Sequence, residues 1–289
     1  MIPGRFDYHR PHSVDDAVAL LARHGDDGRV IAGGHSLIPM MKLRLASPGH
    51  LIDLQAIDGL RGIEVAGGQI RIGALTTQHE IIASKALADA CPLLREASLQ
   101  IADPQVRYCG TVGGNVANGD PGNDLPAVMQ CLDATYLLRG PGGERTVAAR
   151  DFYQAPFVTA LAEGEILTAV RLAPPAAGHG WAYQKMKRKI GDYATAAAAV
   201  VLSLSGGACR QAAIALTNVG DTPLLATAAA KALVGTRLEV AAVDAAVKAA
   251  EAITRPAADG RGSAEFRTHV AGVMTRRAIA AAQARAKQG

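Results

Sequence analysis

The sequence is poor in aromatic residues and nearly balanced in charge. Of its 289 residues, 1 is Trp, 6 are Tyr and 4 are Phe, and the formal net charge is +4. Proteins that bind nucleic acids usually concentrate more positive charge and more stacking aromatics. The composition therefore argues against a nucleic-acid partner. Because 49% of the residues are hydrophobic, a chain of this length can still bury a large globular core.

Cysteine is also scarce. The four cysteines (Cys91, Cys109, Cys131 and Cys209) form no C-x-x-C pair, and no cysteine–histidine cluster has zinc or iron–sulfur spacing. We therefore expect buried thiols in a reducing cytoplasm and no metal bound by this chain. The N-terminal stretch MIPGRFDYHRP lacks the apolar region of a secretory signal. No run approaches the roughly 20 apolar residues of a membrane span.

The familiar nucleotide-binding and catalytic motifs are missing as well. The sequence has no G-x-x-x-x-G-K-[ST], which disfavours a P-loop nucleotidase, and no G-x-G-x-x-G, which disfavours a Rossmann site. It also shows no nucleophile triad, so we assign no catalytic side chain. A dinucleotide, if bound, requires another fold.

The order of predicted elements indicates an α+β protein. A helix should begin after the Ser13–Asp16 capping box and end at Gly25. A second capping box, Thr77 with Glu80, should open a helix that runs to about Ala90. Strands are predicted in VIAGG, in LIDL and on both sides of the Gly67-Gly68 turn in GIEVAGGQIRIGAL. Strands and helices do not alternate as βαβ units, which favours α+β.

The rest of the chain falls into a long loop, a linker and an alanine-rich end. Residues 101–126 have no helical period and are predicted to be a functional or disordered loop. LPAVMQCLDATYLL follows as a helix running into a strand, and APPAAGHG is a linker after a composition change near Leu172. Two strands are predicted across Gly206-Gly207, although alanine disfavours them. A helix should start at Thr222-Pro223.

Two segments share an unusual form. AGGHS (Ala32, Gly33, Gly34, His35 and Ser36) and TVGGN (Thr111, Val112, Gly113, Gly114 and Asn115) each place a Gly-Gly pair beside a hydroxyl or amide side chain. Glycine permits close approach of another group to the backbone, and successive N–H groups form anion-binding nests. Two such loops ahead of apolar segments predict a diphosphate held from two sides.

Three polar loop residues have competing interpretations. His35 is a candidate base, metal ligand or covalent flavin anchor, but a hydrogen-bonding or structural role is favoured because no partner ligands lie nearby in the sequence. Asp120, between Gly and Pro, is interpreted as turn chemistry. Asp124 opens a predicted helix, where it can cap the helix or accept a hydrogen bond from a ribose or ring group.

These segments together identify a family resemblance. AGGHSLIPMMKLRL, TVGGNVANGDPGNDLPAVMQCL and KRKIGDYATAAAAVVL resemble the FAD-binding medium subunits of molybdenum hydroxylases over essentially the whole chain. The longer phrases IADPQVRYCGT, RKIGDYATAAAA and AEAITRPAADGRG are most similar to the branch found in aerobic molybdenum–copper carbon monoxide dehydrogenases. The cysteine spacing differs from that of the hydroxybenzoyl-CoA reductase branch, which carries an extra iron–sulfur cluster on this subunit.

The resemblance implies a fold and a cofactor. The fold would be of the vanillyl-alcohol-oxidase type, with FAD-binding subdomains at 1–55 and 56–176 and a C-terminal domain at 177–289 made of a small antiparallel sheet and helices. Non-covalent FAD would lie with its pyrophosphate between the two glycine loops. Ile101, Asp124 and Tyr193 would lie near the rest of the flavin, and Lys185, from the basic cluster, is a further candidate for contact with the cofactor.

The resemblance also implies partners. A large subunit would carry the molybdenum–copper centre and a small subunit two iron–sulfur clusters, in a dimer of heterotrimers. The FAD of this chain would accept electrons and pass them to a quinone, with peripheral membrane association as an option. Two alternatives stay open: a flavoprotein of a xanthine dehydrogenase-like or other aromatic hydroxylase, and a non-catalytic nucleotide-binding scaffold.

The densest basic cluster lies in KMKRKIGDY, residues 185–193. It is either a solvated surface segment or a set of cations that face the flavin or an acidic partner. Tyr193 is expected to pack against the isoalloxazine ring and to shift when partner subunits dock.

Overall fold

The computed structural model describes residues 2–286. It contains helices and sheets arranged as an α+β fold, as predicted, with three main sheets that follow one another along the chain. None of the helices within 2–286 combines the length and hydropathy that a bilayer crossing requires.

The first sheet has three parallel strands in the order β1-β3-β2. The prediction for the first helix is confirmed: the Ser13 hydroxyl accepts the Asp16 N–H at its start, and Gly25 ends it with φ of 51°. The elements of this part are β1 (Asp7–His9), α1 (Val14–His24), β2 (Gly28–Ile31), α2 (Leu37–Lys42) and β3 (His50–Asp53).

The second sheet has five antiparallel strands in the order β4-β5-β10-β6-β7, and a two-stranded ribbon, β8-β9, accompanies it. Its first hairpin turns at Gly67 and Gly68, both with positive φ, as predicted. The strands are β4 (Ile63–Ala66), β5 (Gln69–Gly73), β6 (Thr135–Gly140), β7 (Gly143–Ala148), β8 (Tyr153–Ala155), β9 (Val158–Thr159) and β10 (Ile166–Leu172).

Six short helices join the strands of this second part. The Thr77–Glu80 capping box is confirmed, but the predicted helix to Ala90 is broken in two because the Ser84 hydroxyl caps a new helix. The prediction of a long loop at 101–126 is wrong, since most of it is helical. The helices are α3 (Gln78–Ala83), α4 (Lys85–Ala90), α5 (Pro92–Gln100), α6 (Pro104–Cys109), α7 (Val112–Ala117) and α8 (Asp124–Cys131).

The third sheet has four antiparallel strands in the order β11-β12-β13-β14, covered by three helices. The two alanine-rich strands are confirmed. The helix predicted from Thr222-Pro223 begins later, because residues 224–225 pair with the sheet. The elements are β11 (Gly180–Met186), β12 (Ala196–Ser205), β13 (Ala208–Thr217), β14 (Leu224–Leu225), α9 (Thr227–Leu233), α10 (Val240–Ala252) and α11 (Ala264–Arg285).

The first half of strand β12, residues 196–200, is buried on both faces. Its alternate residues Ala196, Ala198 and Val200 belong to the core that the third sheet forms with α9, α10 and α11. The residues between them, Ala197 and Ala199, pack into the core of the second sheet and its helices. The small side chains let helices approach both faces of the strand, which explains an extended conformation for a sequence of high helix propensity.

Candidate functional site

The first glycine loop, Ala32–Ser36, connects the end of β2 to α2. Gly34 adopts φ of 70°, which only glycine reaches without strain. Within residues 2–286, the N–H groups of Gly33, Gly34, His35 and Ser36 donate to no partner. Successive unpaired N–H groups at a left-handed turn form a concave anion-binding nest. The loop therefore offers the backbone donors that the sequence predicted.

His35 contributes to this loop through its own backbone contact. The Nδ1 atom lies 2.8 Å from the carbonyl oxygen of Gly33, and this hydrogen bond fixes the ring beside the nest. The contact agrees with the hydrogen-bonding role that the sequence favoured.

The second glycine loop, Thr111–Asn115, differs from the first in its hydrogen bonds. The N–H groups of Val112 and Gly113 donate to the carbonyl oxygens of Thr76 and Ala74, both at 2.8 Å. That of Gly114 donates to the Thr111 hydroxyl at 3.0 Å. These three donors are thus occupied, and this loop resembles the first in sequence but not in the nest that it presents.

Asn115 is the polar group that this second loop leaves unpaired. Its Oδ1 atom is buried and has no hydrogen-bond partner within 2–286. A buried amide oxygen without a partner is costly and indicates that a ligand or water donates to it. Asn115 therefore fits a ligand with hydroxyl or amine donors more directly than it fits a phosphate oxygen.

The first loop lies against the backbone that leads into the second loop. A methyl group on Gly33 would lie 2.3 Å from the carbonyl oxygen of Cys109 and 3.0 Å from the Cα of Gly110. A methyl group on Gly114 would lie 3.9 Å from the Cβ of Ala32. Glycine is required at position 33 because two stretches of backbone meet there. We call the combined surface of the two loops the cradle.

Several residues that the sequence did not single out hold the second loop in place. Besides Ala74 and Thr76, the Gln78 amide nitrogen donates to the Thr111 carbonyl oxygen at 3.2 Å. The Asn123 amide nitrogen donates to the Asn115 carbonyl oxygen at 2.8 Å. Asn123 lies in the segment GDPGNDLP. Its polar amide side chain was the only feature of the sequence that could have indicated this role.

Asp124 and Lys185 form a buried ion pair. The Lys185 Nζ lies 2.8 Å from the Asp124 Oδ2, and the two side chains are 1% and 5% exposed. The Tyr183 hydroxyl donates to Asp124 Oδ1, and Lys185 also donates to the Gln100 carbonyl oxygen at 3.2 Å. Burial raises the pKa of Asp124, while Lys185 and Tyr183 oppose this rise.

Protein groups therefore hold both side chains inside the fold. Both carboxylate oxygens of Asp124 already accept a hydrogen bond from a protein group, Oδ1 from Tyr183 and Oδ2 from Lys185. Lys185 is not solvated. Lys187 has its Nζ 3.4 Å from the Gln100 carbonyl oxygen, which places two cations of the basic cluster against the end of α5.

Tyr193 and Ile101 lie in different surroundings. Tyr193 is 41% exposed and covers Gly122, while the Arg261 guanidinium lies 5.7 Å from its ring centroid. Burial and then Asp120 raise the pKa of Tyr193 to about 12, so the phenol stays protonated. Ile101 is buried, and its carbonyl oxygen accepts from Arg107 at 2.8 Å. Asp120 also accepts the Gly122 N–H at 2.8 Å, the predicted turn contact.

Two family models together match nearly the whole chain. Residues 4–175 match the model of the FAD binding domain in molybdopterin dehydrogenase, and residues 181–282 match the CO dehydrogenase flavoprotein C-terminal domain.

Individual proteins are similar over their full length. The carbon monoxide dehydrogenase medium chain of Afipia carboxidovorans is 63% identical over 287 residues, which cover 99% of this chain and 100% of that protein. The medium chain of Hydrogenophaga pseudoflava is 49% identical, with 99% of each covered. A chain in the crystal structure of the cyanide-inactivated Cu,Mo-CO dehydrogenase superposes with a TM-score of 0.98 at 63% identity, covering 99% of this chain and 100% of that one.

Proposed function

Since this chain belongs to the family of FAD-binding medium subunits of molybdenum hydroxylases, we propose that it is the flavoprotein subunit of a carbon monoxide dehydrogenase complex. The observation that carries the proposal is the 63% identity to a carbon monoxide dehydrogenase medium chain, which extends over the whole of both proteins. A xanthine dehydrogenase-like or other aromatic hydroxylase complex remains the alternative, because substrate is chosen on another chain.

The cradle fits the diphosphate of FAD. The N–H groups of Gly33, Gly34, His35 and Ser36 would donate to phosphate oxygens, and Asn115 Oδ1 would accept from a ligand hydroxyl or amine. Thr111 would act indirectly: its hydroxyl accepts the Gly114 N–H and caps helix α7. Ile101, Asp124, Lys185 and Tyr193 are proposed to border the rest of the flavin, with Asp124 and Lys185 acting from within the protein.

The chemistry would be that of electron transfer. Bound FAD takes up two electrons and releases them singly or in pairs. In the proposed complex, a large subunit with a molybdenum–copper centre converts CO and H₂O to CO₂, two protons and two electrons. A small subunit with iron–sulfur clusters passes the electrons to this chain, and a quinone receives them. The protein's own role is to bind, orient and electrostatically tune the cofactor.

The assembly and location follow as further proposals. We propose a dimer of heterotrimers in the cytoplasm, with peripheral contact to the membrane for quinone reduction. The four free cysteines within 2–286 agree with a reducing compartment. We also propose the domain division 1–55, 56–176 and 177–289, whose outermost residues lie outside the described part of the chain.

The purified complex tests this function. We expect oxidised-flavin absorption bands that bleach when carbon monoxide is supplied without an acceptor and that do not bleach with xanthine. Bleaching by xanthine alone would favour the alternative complex. Absence of flavin bands from a complex that retains its molybdenum and iron would leave only a scaffold role.

A Gly114→Val variant is expected to bind less FAD. The new Cβ would lie 2.9 Å from the Thr111 hydroxyl oxygen, which receives the Gly114 N–H, and loss of such a cap costs about 1 kcal/mol. The branched side chain would also enter the cradle. Flavin-to-protein ratios after gel filtration measure the effect. Gly142→Val is the matched control, because nothing lies within 4 Å of its added Cβ. Full FAD occupancy in a folded Gly114→Val protein would show that the second loop does not contribute to FAD binding.

A Tyr193→Ala variant is expected to retain flavin less well or to shift its reduction potential. The reason is loss of an aromatic face, which typically contributes about 0.5–1.5 kcal/mol beyond its buried area. Tyr193→Phe keeps the ring and removes the hydroxyl beside Asp120, so it should behave like the wild type. Equal flavin retention and potential in the Ala variant would place Tyr193 away from the cofactor.

A further inference from the structure

Three histidines meet beside the first sheet, away from the cradle. His9 ends β1, His24 ends α1 and His50 begins β3. One ring nitrogen of each lies within 4.8 Å of a ring nitrogen of the other two. No sequence motif indicates this cluster, because its members are separated by long intervals and come together only through the sheet.

The register of the strands explains the convergence. Asp7 pairs with His50 across β1 and β3. His9 is two residues beyond Asp7, and side chains two apart on a strand point to the same face. Helix α1 packs against β2 and β3, and this brings the His24 ring to 3.7 Å from the His50 ring in a stacked arrangement.

The cluster is incompletely hydrogen-bonded. His9 Nε2 lies 3.0 Å from His50 Nδ1, which satisfies one nitrogen of each ring. His24 Nε2 is buried and has no hydrogen-bond partner within 2–286. A buried ring nitrogen usually has a hydrogen-bond partner or a bound ion. One that has no hydrogen-bond partner and lies beside two other imidazoles indicates a site for a ligand.

We propose that His9, His24 and His50 bind a divalent transition-metal ion of the zinc class. Imidazole nitrogens suit Zn²⁺, Cu²⁺ and Ni²⁺. Around a tetrahedral ion with Zn–N bonds of about 2.0 Å, two ligand nitrogens lie about 3.3 Å apart. The 3.0 Å between His9 and His50 is already close to that spacing. The His24 nitrogen lies within 4.8 Å of both, and binding requires its ring to turn out of the stack with His50.

Two carboxylates complete the surroundings of the ion. Asp27 Oδ2 lies 3.9 Å from His50 Nε2, and its Oδ1 accepts the Gly49 N–H at 2.7 Å. When Nδ1 of His50 binds the ion, Nε2–H faces this anchored carboxylate, an arrangement typical of metal-bound histidines. Asp7 Oδ2, 3.9 Å from His50 Nδ1, offers a fourth ligand or a partner for a bound water.

The site is separate from the cradle. His50 pairs with Gly28 at the start of β2, whereas Ala32 follows the end of this strand. Four residues of strand span about 13 Å. An ion at this position crosslinks β1, β3 and α1, so its role is structural.

The test is zinc titration of the full-length, chelator-treated chain by calorimetry. We expect one Zn²⁺ per chain. His24→Ala and His9→Ala should each weaken binding at least about tenfold, since loss of even an outer-shell partner costs about that much. His269→Ala is the control, because this exposed histidine lies on α11 outside the cluster, and it should bind as the wild type does.

The outcomes are distinct. Equal zinc affinity in wild type and folded His24→Ala would overturn the site, as would no binding by the wild type. If circular dichroism shows that the Ala variants are misfolded, His9→Gln decides, because it keeps a hydrogen-bonding group but removes an imidazole. The FAD content should be the same in all variants, so a defect in the cradle is not mistaken for one at the histidines.

Discussion

A Gly33→Ala variant should lose most of its bound FAD and still fold. The added methyl group would lie 2.3 Å from the carbonyl oxygen of Cys109. Backbone cannot rotate away as a side chain can, so the first loop must move away from the backbone that leads into the second loop. Overpacking of this kind costs about 1–3 kcal/mol, and if FAD binding has to restore the contact, its Kd rises about 5- to 150-fold.

The measurement is titration of the FAD-free protein or complex with FAD, followed by the change in flavin fluorescence. Gly59→Ala is the matched control, because nothing lies within 4 Å of its added Cβ, and it should leave the Kd unchanged. Wild-type affinity in a correctly folded Gly33→Ala protein would show that the contact between Gly33 and the Cys109 backbone does not shape the cradle.

A Lys185→Met variant should lose about 3–5 kcal/mol of unfolding free energy. The substitution leaves the Asp124 carboxylate buried without its cation, and broken buried ion pairs have costs in this range. Urea unfolding monitored by circular dichroism measures it. Arg150→Met is the matched control: it breaks the Arg150–Asp133 pair, whose side chains are 48% and 72% exposed, and should cost no more than about 1 kcal/mol.

The pH dependence of this loss identifies its cause. Burial already raises the pKa of Asp124, and removal of Lys185 raises it further. A carboxyl whose pKa is higher in the folded state binds its proton more tightly there, so the folded state loses stability as pH rises. Lys185→Met should therefore be closer to the wild type at low pH than at high pH. An Asp124→Asn/Lys185→Met double variant should recover part of the loss; none recovered at any pH would exclude a charge effect.

Strand β12 shows how far local propensity reaches. Alanine favours helices, yet the alanine-rich residues 196–205 form a strand of 10 residues. The Gly206-Gly207 turn signalled the hairpin correctly, because both glycines require positive φ. That both faces of the strand would be covered could not be read from the sequence, because the covering helices come from α8 and α11, distant in the chain.

Residues 101–126 were predicted to be a loop but contain helices that local signals could have identified. The absence of a helical period was interpreted as a loop, but Pro104 occupies the first turn of α6, where proline fits a helix. The Asp103 side chain accepts the Val106 N–H as the cap of this helix. Short capped helices carry too few residues to show a period. Capping chemistry was the signal that would have found α6 and α7.

The cradle was partly predictable. Unpaired backbone N–H groups at Ala32–Ser36 were expected from the Gly-Gly motif alone, and the structure, within residues 2–286, has them. The occupied N–H groups at Val112 and Gly113 were not expected, because their acceptors, Ala74 and Thr76, lie beyond the end of β5 and come close only in the folded chain. Likewise, nothing in the sequence paired Lys185 with Asp124.

The core beneath the second sheet crosses the boundary between the two matched family segments. Leu125, Val128 and Leu138 share it with Tyr183 and Ala199, which lie beyond residue 180. A gene fragment ending near residue 175 would therefore encode a polypeptide that exposes to solvent the apolar surface normally covered by β11 and β12. The two matched segments therefore share one core, and exchanging one of them for a homologous segment requires a partner whose buried surface matches.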